Sequence, residues 1–137
     1  MSAWRLDRQL ADDTHPVAQL LLSEVRLRDD SHHPWLVLVP RVAGAVELFD
    51  LSDGEQQSLV REIALAGRVL RDCFVPDKVN VGALGNLVPQ LHVHVVARFR
   101  GDIAWPGPVW GHSAARPYTP EALVERINRL REALAST

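Results

Sequence analysis

The segment QLHVHVVAR, residues 90–98, sets two imidazoles two positions apart, at His92 and His94. Its alternation is that of a strand, with Gln90, His92 and His94 on one face and Leu91, Val93 and Val95 on the other. At roughly 3.3 Å per residue the two rings stand about 7 Å apart along the chain, close enough to address one ligand. Three arrangements fit such a pair: a metal site, a nucleophile with a helper, or two histidines whose nitrogens are satisfied structurally. A zinc site would draw further ligands from His15, His32, His33, His112 or a carboxylate, and none of these stands at a recognisable ligand spacing. No metal and no other cofactor is therefore expected. Just upstream, NVGALGNLVPQ is a glycine-containing turn carrying Asn80, Asn86 and Gln90, which brings amide donors and adaptable backbone to an anion. A neutral imidazole is available near pH 7, because its reference pKa is about 6.5, and histidine is among the side chains that form covalent intermediates.

The elements that must position this pair can be read from periodicity. Residues 6–13 suit a short helix of structural role, ending before His15 and Pro16, where the proline disfavours helical geometry in its predecessor. The apolar stretch AQLLL then gives way to alternation, Val25 and Leu27 against Arg26 and Arg28, which predicts a half-buried strand. After the polar turn DDSHHP, residues 35–39 form a continuous apolar run ending at Pro40, as a buried strand does; the two segments predict an antiparallel hairpin. His32 and His33 are expected to be exposed in its turn, and Trp35 to belong to the core.

Ser52 and Glu55 match a capping box, and Leu59, Ile63, Ala66 and Leu70 follow as one helical stripe that Pro76 brings to a close. Residues 78–83 alternate as a strand, with Lys78, Asn80 and Gly82 opposite Val79, Val81 and Ala83, and Gly85 and Asn86 turn the chain. The stretch GDIAWPGPVWGHSAARP is too rich in glycine and proline for a regular element and reads as an ordered loop. Thr119 and Pro120 supply an N-cap and a first-turn proline to a last helix, whose stripe is Leu123, Ile127, Leu130 and Leu134. These elements make an α+β fold, an antiparallel sheet of about five strands with one long central helix and a C-terminal helix.

With 137 residues, 47% of them hydrophobic, and no repeat or low-complexity linker, residues 1–137 are expected to form one domain. A formal charge of −2 gives no basic excess to draw the chain onto nucleic acid in bulk, while a nucleotide-sized anion needs only a few directed donors. The lone Cys73 excludes an intramolecular disulfide and fits a reducing compartment, with the thiol serving as a small hydrophobe. No apolar run nears the roughly 20 residues that cross a bilayer, and Asp and Arg are interspersed through MSAWRLDRQLADDTHP where a signal peptide would have an apolar core. A cytoplasmic protein without a membrane partner is expected.

KVNVGALGNLVPQLHVHVVAR resembles the signature of the histidine triad superfamily, His-apolar-His-apolar-His-apolar-apolar after a glycine-amide turn. PWLVLVPR is similar to that family's nucleotide-side strand, residues 52–70 to its central helix, and AWPGPVWG to a tail of one bacterial branch, which resembles dinucleoside polyphosphate hydrolases. The resemblance implies a nucleotide substrate attacked at its alpha phosphate, with a covalent nucleotidyl-histidine intermediate. The middle histidine, the family's nucleophile, falls on His92 and the third on His94. The first falls on Gln90, a departure from the strict triad, and the amide of the turn on Asn86. His94, Asn86 and Asn80 are then candidate donors to the phosphate oxygens, and Gln90 orients the site or serves as a structural strand amide. Asp29 and Asp30 are candidate acceptors from ribose hydroxyls. The same resemblance implies a homodimer whose sheets join, with Trp105 and Trp110 near the site or across the dimer interface. Hydrolysis of a dinucleoside polyphosphate or a nucleoside phosphoramidate is the expected activity. A nucleotide- or partner-binding module with little catalysis, or a nucleotidyltransferase using the same adduct, remain open alternatives.

Overall fold

In the computed structural model, which describes residues 3–137, three α-helices accompany a five-stranded antiparallel sheet. In chain order the elements are α1 Arg8–Asp13, β1 Thr14–Gln19, β2 Ser23–Arg28, β3 Trp35–Pro40, a short 3-10 turn Leu48–Asp50, α2 Asp53–Phe74, β4 Lys78–Gly82, β5 Val93–Arg98 and α3 Pro120–Ala135. The strands lie in the order β1-β2-β3-β5-β4, and every neighbouring pair is antiparallel.

The central strands β3 and β5 are buried along their whole length, so both sheet faces are covered. On one face Val25, Leu27, Leu36, Leu38, Val95 and Ala97 pack under α2 and α3, meeting Ala66, Leu70 and Leu130. On the other, Trp35, Val37, Val39 and Val96 are covered by Leu10 of α1 and by Ala104 and Val109 of the loop after β5. His94 and Arg98 share this second face, since residues of even number along β5 alternate away from the helices. The continuous apolar run of β3 thus reflects burial on two sides.

Local signals set the two long helices. Ser52 Oγ accepts from the Glu55 amide, and the Glu55 carboxylate accepts from the Ser52 amide, which completes the expected capping box. The helix stops at Phe74, because Val75 adopts a left-handed backbone ahead of Pro76. Thr119 caps α3 through the Ala122 amide, with Pro120 in the first turn.

One strand departs from the expected reading. The stretch AQLLL is not a lead-in to a single strand: β1 runs through His15 and Pro16, and the chain reverses at residues 20–22 before β2. Proline is tolerated there because β1 is an edge strand and its register is irregular between Pro16 and Ala18. Leucines form the turn because groups from elsewhere satisfy its backbone. Arg41 donates to the Leu20 and Leu21 carbonyls, and the Glu62 carboxylate accepts from the Leu22 and Ser23 amides at 2.8 and 2.9 Å. Leu21, at the tip, is 90% exposed. Among the described residues no helix is long and apolar enough to cross a membrane.

Candidate active site

His92 sits just before β5 and is 7% exposed; its ring centroid lies 4.9 Å from that of His94. The Nδ1 of His92 is 2.7 Å from the Gln90 carbonyl oxygen. A carbonyl only accepts, so Nδ1 carries the proton and the Nε2 lone pair is left free. His94 is fixed in the opposite tautomer. The indole Nε1–H of Trp35, which only donates, is 2.9 Å from His94 Nδ1, so His94 carries its proton on Nε2 and presents a donor there. Burial, with the neighbouring His92 and Arg28 adding to it, pushes the His94 pKa down to about 3. The two neighbouring imidazoles therefore offer one acceptor nitrogen and one donor.

Both rings line a cleft of about 730 Å3, within the range of small-molecule sites. Its walls are α1, the turn at residues 84–88 and the loop at residues 109–113. In the turn, Gly85 has a left-handed backbone (φ +77°), and the exposed Asn86 beside it faces the cleft. Trp110 stands edge-on to His94 and Trp35, with centroids at 5.6 and 6.2 Å. Gly82 makes that placement feasible, since a Cβ there would lie 3.0 Å from Trp110 Cη2 and 3.2 Å from Cζ2. Gly82→Ala is expected to displace the indole, costing about 1–3 kcal/mol of stability. Thermal unfolding and tryptophan fluorescence check this, and a variant indistinguishable from wild type in both would refute the contact.

The other candidates from the sequence fall in different places. Gln90 leaves the sheet: its Oε1 accepts from the Asp7 amide at 2.7 Å and its Nε2 donates to the Arg5 carbonyl at 2.6 Å. It is not among the residues lining the cleft, but it holds the segment from which Asp7, Gln9 and Leu10 of the cleft wall arise. Asn80 is not at the cleft either. Its side-chain oxygen accepts from Arg98 Nη1 at 2.8 Å, which makes it part of a buried polar cluster. Of the two turn carboxylates, Asp30 lines the cleft and Asp29 does not. Asp29 Oδ1 accepts from the Tyr118 amide, and its Oδ2 is 3.4 Å from His15 Nε2. Asp30 Oδ1 accepts from the His32 and Arg116 amides and lies 2.7 Å from His32 Nδ1, whereas Oδ2 makes none of these bonds.

The expectation for the turn histidines needs correction. His33 is 2% exposed, its ring edge-on to Trp35 and its Nδ1 3.6 Å from Asp102. Burial lowers its pKa, against the opposing pull of Asp102. His32 is half-buried against Asp30. Trp35 is core, as expected, at 4% exposure, but it also lines the cleft and bonds His94. Trp105 lies under Arg98, with the guanidinium 5.8 Å from its ring, away from the cleft.

Arg28 is a cleft residue that nothing in its local sequence marks as one. Its guanidinium stacks over Trp35 at 5.0 Å, and its closest carboxylate, on Asp13, is 3.9 Å away. Its Nε is buried and unpartnered, on a side chain that lines the cleft. The alternation of Arg26 and Arg28 was a signal for a strand, but only the register Leu27↔Leu36 brings Arg28 across from Trp35.

The HIT domain family matches residues 10–101, and the chain belongs to this histidine triad family. It is similar in structure to a histidine triad protein of Bradyrhizobium japonicum, with a TM-score of 0.95 and 44% identity over 97% of this chain and 99% of that one. A histidine triad protein of Marinobacter aquaeolei VT8 matches with a TM-score of 0.96 and 41% identity over 98% of each chain. One from Sinorhizobium meliloti 1021 matches at 0.93 and 42% identity, over 95% and 96%. No curated protein gives a significant match.

Proposed function

We propose that this chain is a nucleotide hydrolase that attacks the alpha phosphate of a dinucleoside polyphosphate or nucleoside phosphoramidate through His92. The observation that carries the reading is the His92 tautomer: Nδ1–H is held by the Gln90 carbonyl, so the lone pair of Nε2 belongs to a ring that lines a nucleotide-sized cleft. Attack by Nε2 forms a P–N bond and breaks the bond from phosphorus to the leaving group. The adduct is an imidazolium, and the carbonyl on Nδ1–H stabilises its positive charge. Water then attacks phosphorus, returns the electron pair to Nε2 and releases a mononucleotide, its proton passing to solvent.

Negative charge on the nonbridging oxygens is met by donors already in place: Nε2–H of His94, the Asn86 amide, and the backbone of the Gly85 turn. Gln90, at the first position of the triad, acts at one remove, by anchoring the α1 wall and offering its carbonyl to His92. Asp30 Oδ2 is the acceptor suited to a ribose hydroxyl. Arg28 supplies the cationic side chain of the cleft. We read residues 1–137 as one domain, cytoplasmic, paired with a second copy through joined sheets, as the family resemblance implies.

Turnover of a panel of dinucleoside polyphosphates and nucleoside phosphoramidates, beside calorimetry with AMP, tests the reading. Multiple turnovers releasing mononucleotide are expected. Tight AMP binding without product would replace the hydrolase by a binding module, and passage of the nucleotidyl group to added phosphate in place of water would make the protein a transferase.

A further inference from the structure

Trp35 limits what His94 can do. Indole Nε1–H has a proton to give and no lone pair to offer, and it stands 2.9 Å from His94 Nδ1 in a pocket where Trp35 is 4% and His94 7% exposed. A second proton on His94 would have to displace this bond and place a cation beside Arg28 and His92. His94 is therefore a donor of hydrogen bonds and not a source of protons.

The described cleft holds no other group arranged as an acid. Gln90 has spent both ends of its amide on the backbone of residues 5 and 7, and no amide protonates a leaving group. Asp7 accepts from the Gln9 and Leu10 amides, Asp13 from the Gln9 side chain, and Asp30 from the His32 and Arg116 amides. Each carboxylate is thus used as an acceptor. Arg28 stays charged and gives up no proton.

Resting on His92 as the nucleophile, we propose that Trp35 locks His94 as a permanently neutral donor, so that the site cleaves phosphoanhydrides and discriminates against phosphoramidates. When Nε2 of His92 bonds to phosphorus and a P–O bond breaks, the electron pair leaves on a phosphate oxygen, which is stable as an anion and requires no proton. When a P–N bond breaks, the pair falls on nitrogen, and an amine departs only if a proton reaches it in the same step. A positioned acid is worth about 10²–10⁴-fold in rate, and that factor is missing for an amine. Trp35 is on this account a positioning residue that selects the substrate class.

The test compares kcat/KM, which reports the first displacement, for diadenosine tetraphosphate, adenosine 5′-phosphoramidates, and adenosine 5′-phosphate aryl esters from p-nitrophenyl to phenyl. Phosphoramidates are expected to be cut at least about 100-fold less efficiently than the anhydride, and the ester rates to fall steeply as the phenol becomes more basic. Trp35→Phe, which frees Nδ1 to take a proton, is expected to narrow the gap between amidate and anhydride and to bring an acidic group into the pH profile. Wild-type rates for amidate and anhydride within tenfold of one another, or ester rates independent of the phenol, would overturn the proposal without reference to any variant. If none of these substrates left a nucleotidyl group on His92, the hydrolase reading itself would fail, and this inference with it.

Discussion

His92→Ala is expected to lower turnover about 10⁴-fold or more while the protein stays folded, because the variant lacks the atom that bonds to phosphorus. To the fold, His92 gives one hydrogen bond to the Gln90 carbonyl, worth about 0.5–1.5 kcal/mol. Loss of activity should therefore come with a cooperative unfolding transition close to that of wild type. His92→Asn keeps a polar group in the same place and is expected to be equally inactive. Steady-state kinetics beside thermal unfolding separate the two effects, and undiminished turnover in either variant would refute the assignment of the nucleophile.

The second large effect concerns stability and lies away from His92. Arg98 is 2% exposed, and its Nε and Nη2 donate to the two carboxylate oxygens of Asp102 at 2.9 and 3.1 Å, a two-pronged pair buried beneath the loop that carries Trp110. Asp102 also accepts from the amides of Phe99, Ala104 and Trp105, so one carboxylate organises the turn that begins this loop. Asp102→Ala leaves a buried guanidinium with Asn80 as its one remaining side-chain hydrogen-bond acceptor among the described residues, beside the Trp105 ring, and is expected to cost about 3–5 kcal/mol. Denaturant unfolding checks this; a loss below about 1 kcal/mol would mean that the pair contributes little.

The same carboxylate has a pH signature. Burial works to raise the Asp102 pKa, but Arg98 and the three amides hold it well below the usual carboxylate range. A depressed carboxylate pKa stabilises the fold above the unfolded value of about 3.9, and this contribution drains away as pH falls below it. His94 titrates in a different window. Its pKa of about 3 lies below the unfolded value of about 6.5, so between these limits the unfolded chain takes up the proton first, and stability declines by up to about 1.4 kcal/mol per pH unit. Wild type, the more stable near neutrality, and Asp102→Asn are thus both expected to lose stability from pH 6.5 to about 4 as His94 and His33 meet protons, and their curves to draw together below it, where wild type alone loses the Asp102 contribution.

What could be read from the sequence was local. The capping box at Ser52, the cap at Thr119, the buried run of β3 and the shared face of His92 and His94 each depend on residues within a few positions of one another, and all are present in the fold. What escaped depends on register between distant strands or on loops folding back. The turn at residues 20–22 is held by Arg41 and Glu62, some 20 and 40 residues further on, so nothing within the turn announced it. Asn80 resembled a phosphate ligand until pairing with β5 set it near Arg98. His33 belonged to a polar turn, but the loop after β5 closes over it and brings Asp102 alongside. The bond from Trp35 to His94 spans 59 positions and follows from the register Trp35↔Val96 and Val37↔His94, which no periodicity within either strand contains.

The most direct measurement is of the adduct. Wild-type protein mixed with diadenosine tetraphosphate, quenched in alkali within the first turnover and mapped by mass spectrometry is expected to carry one adenylyl group, labile to acid, on the peptide containing His92. Steady product formation in a reaction whose quenched samples leave that peptide unmodified, or carry the label on another residue, would contradict the account.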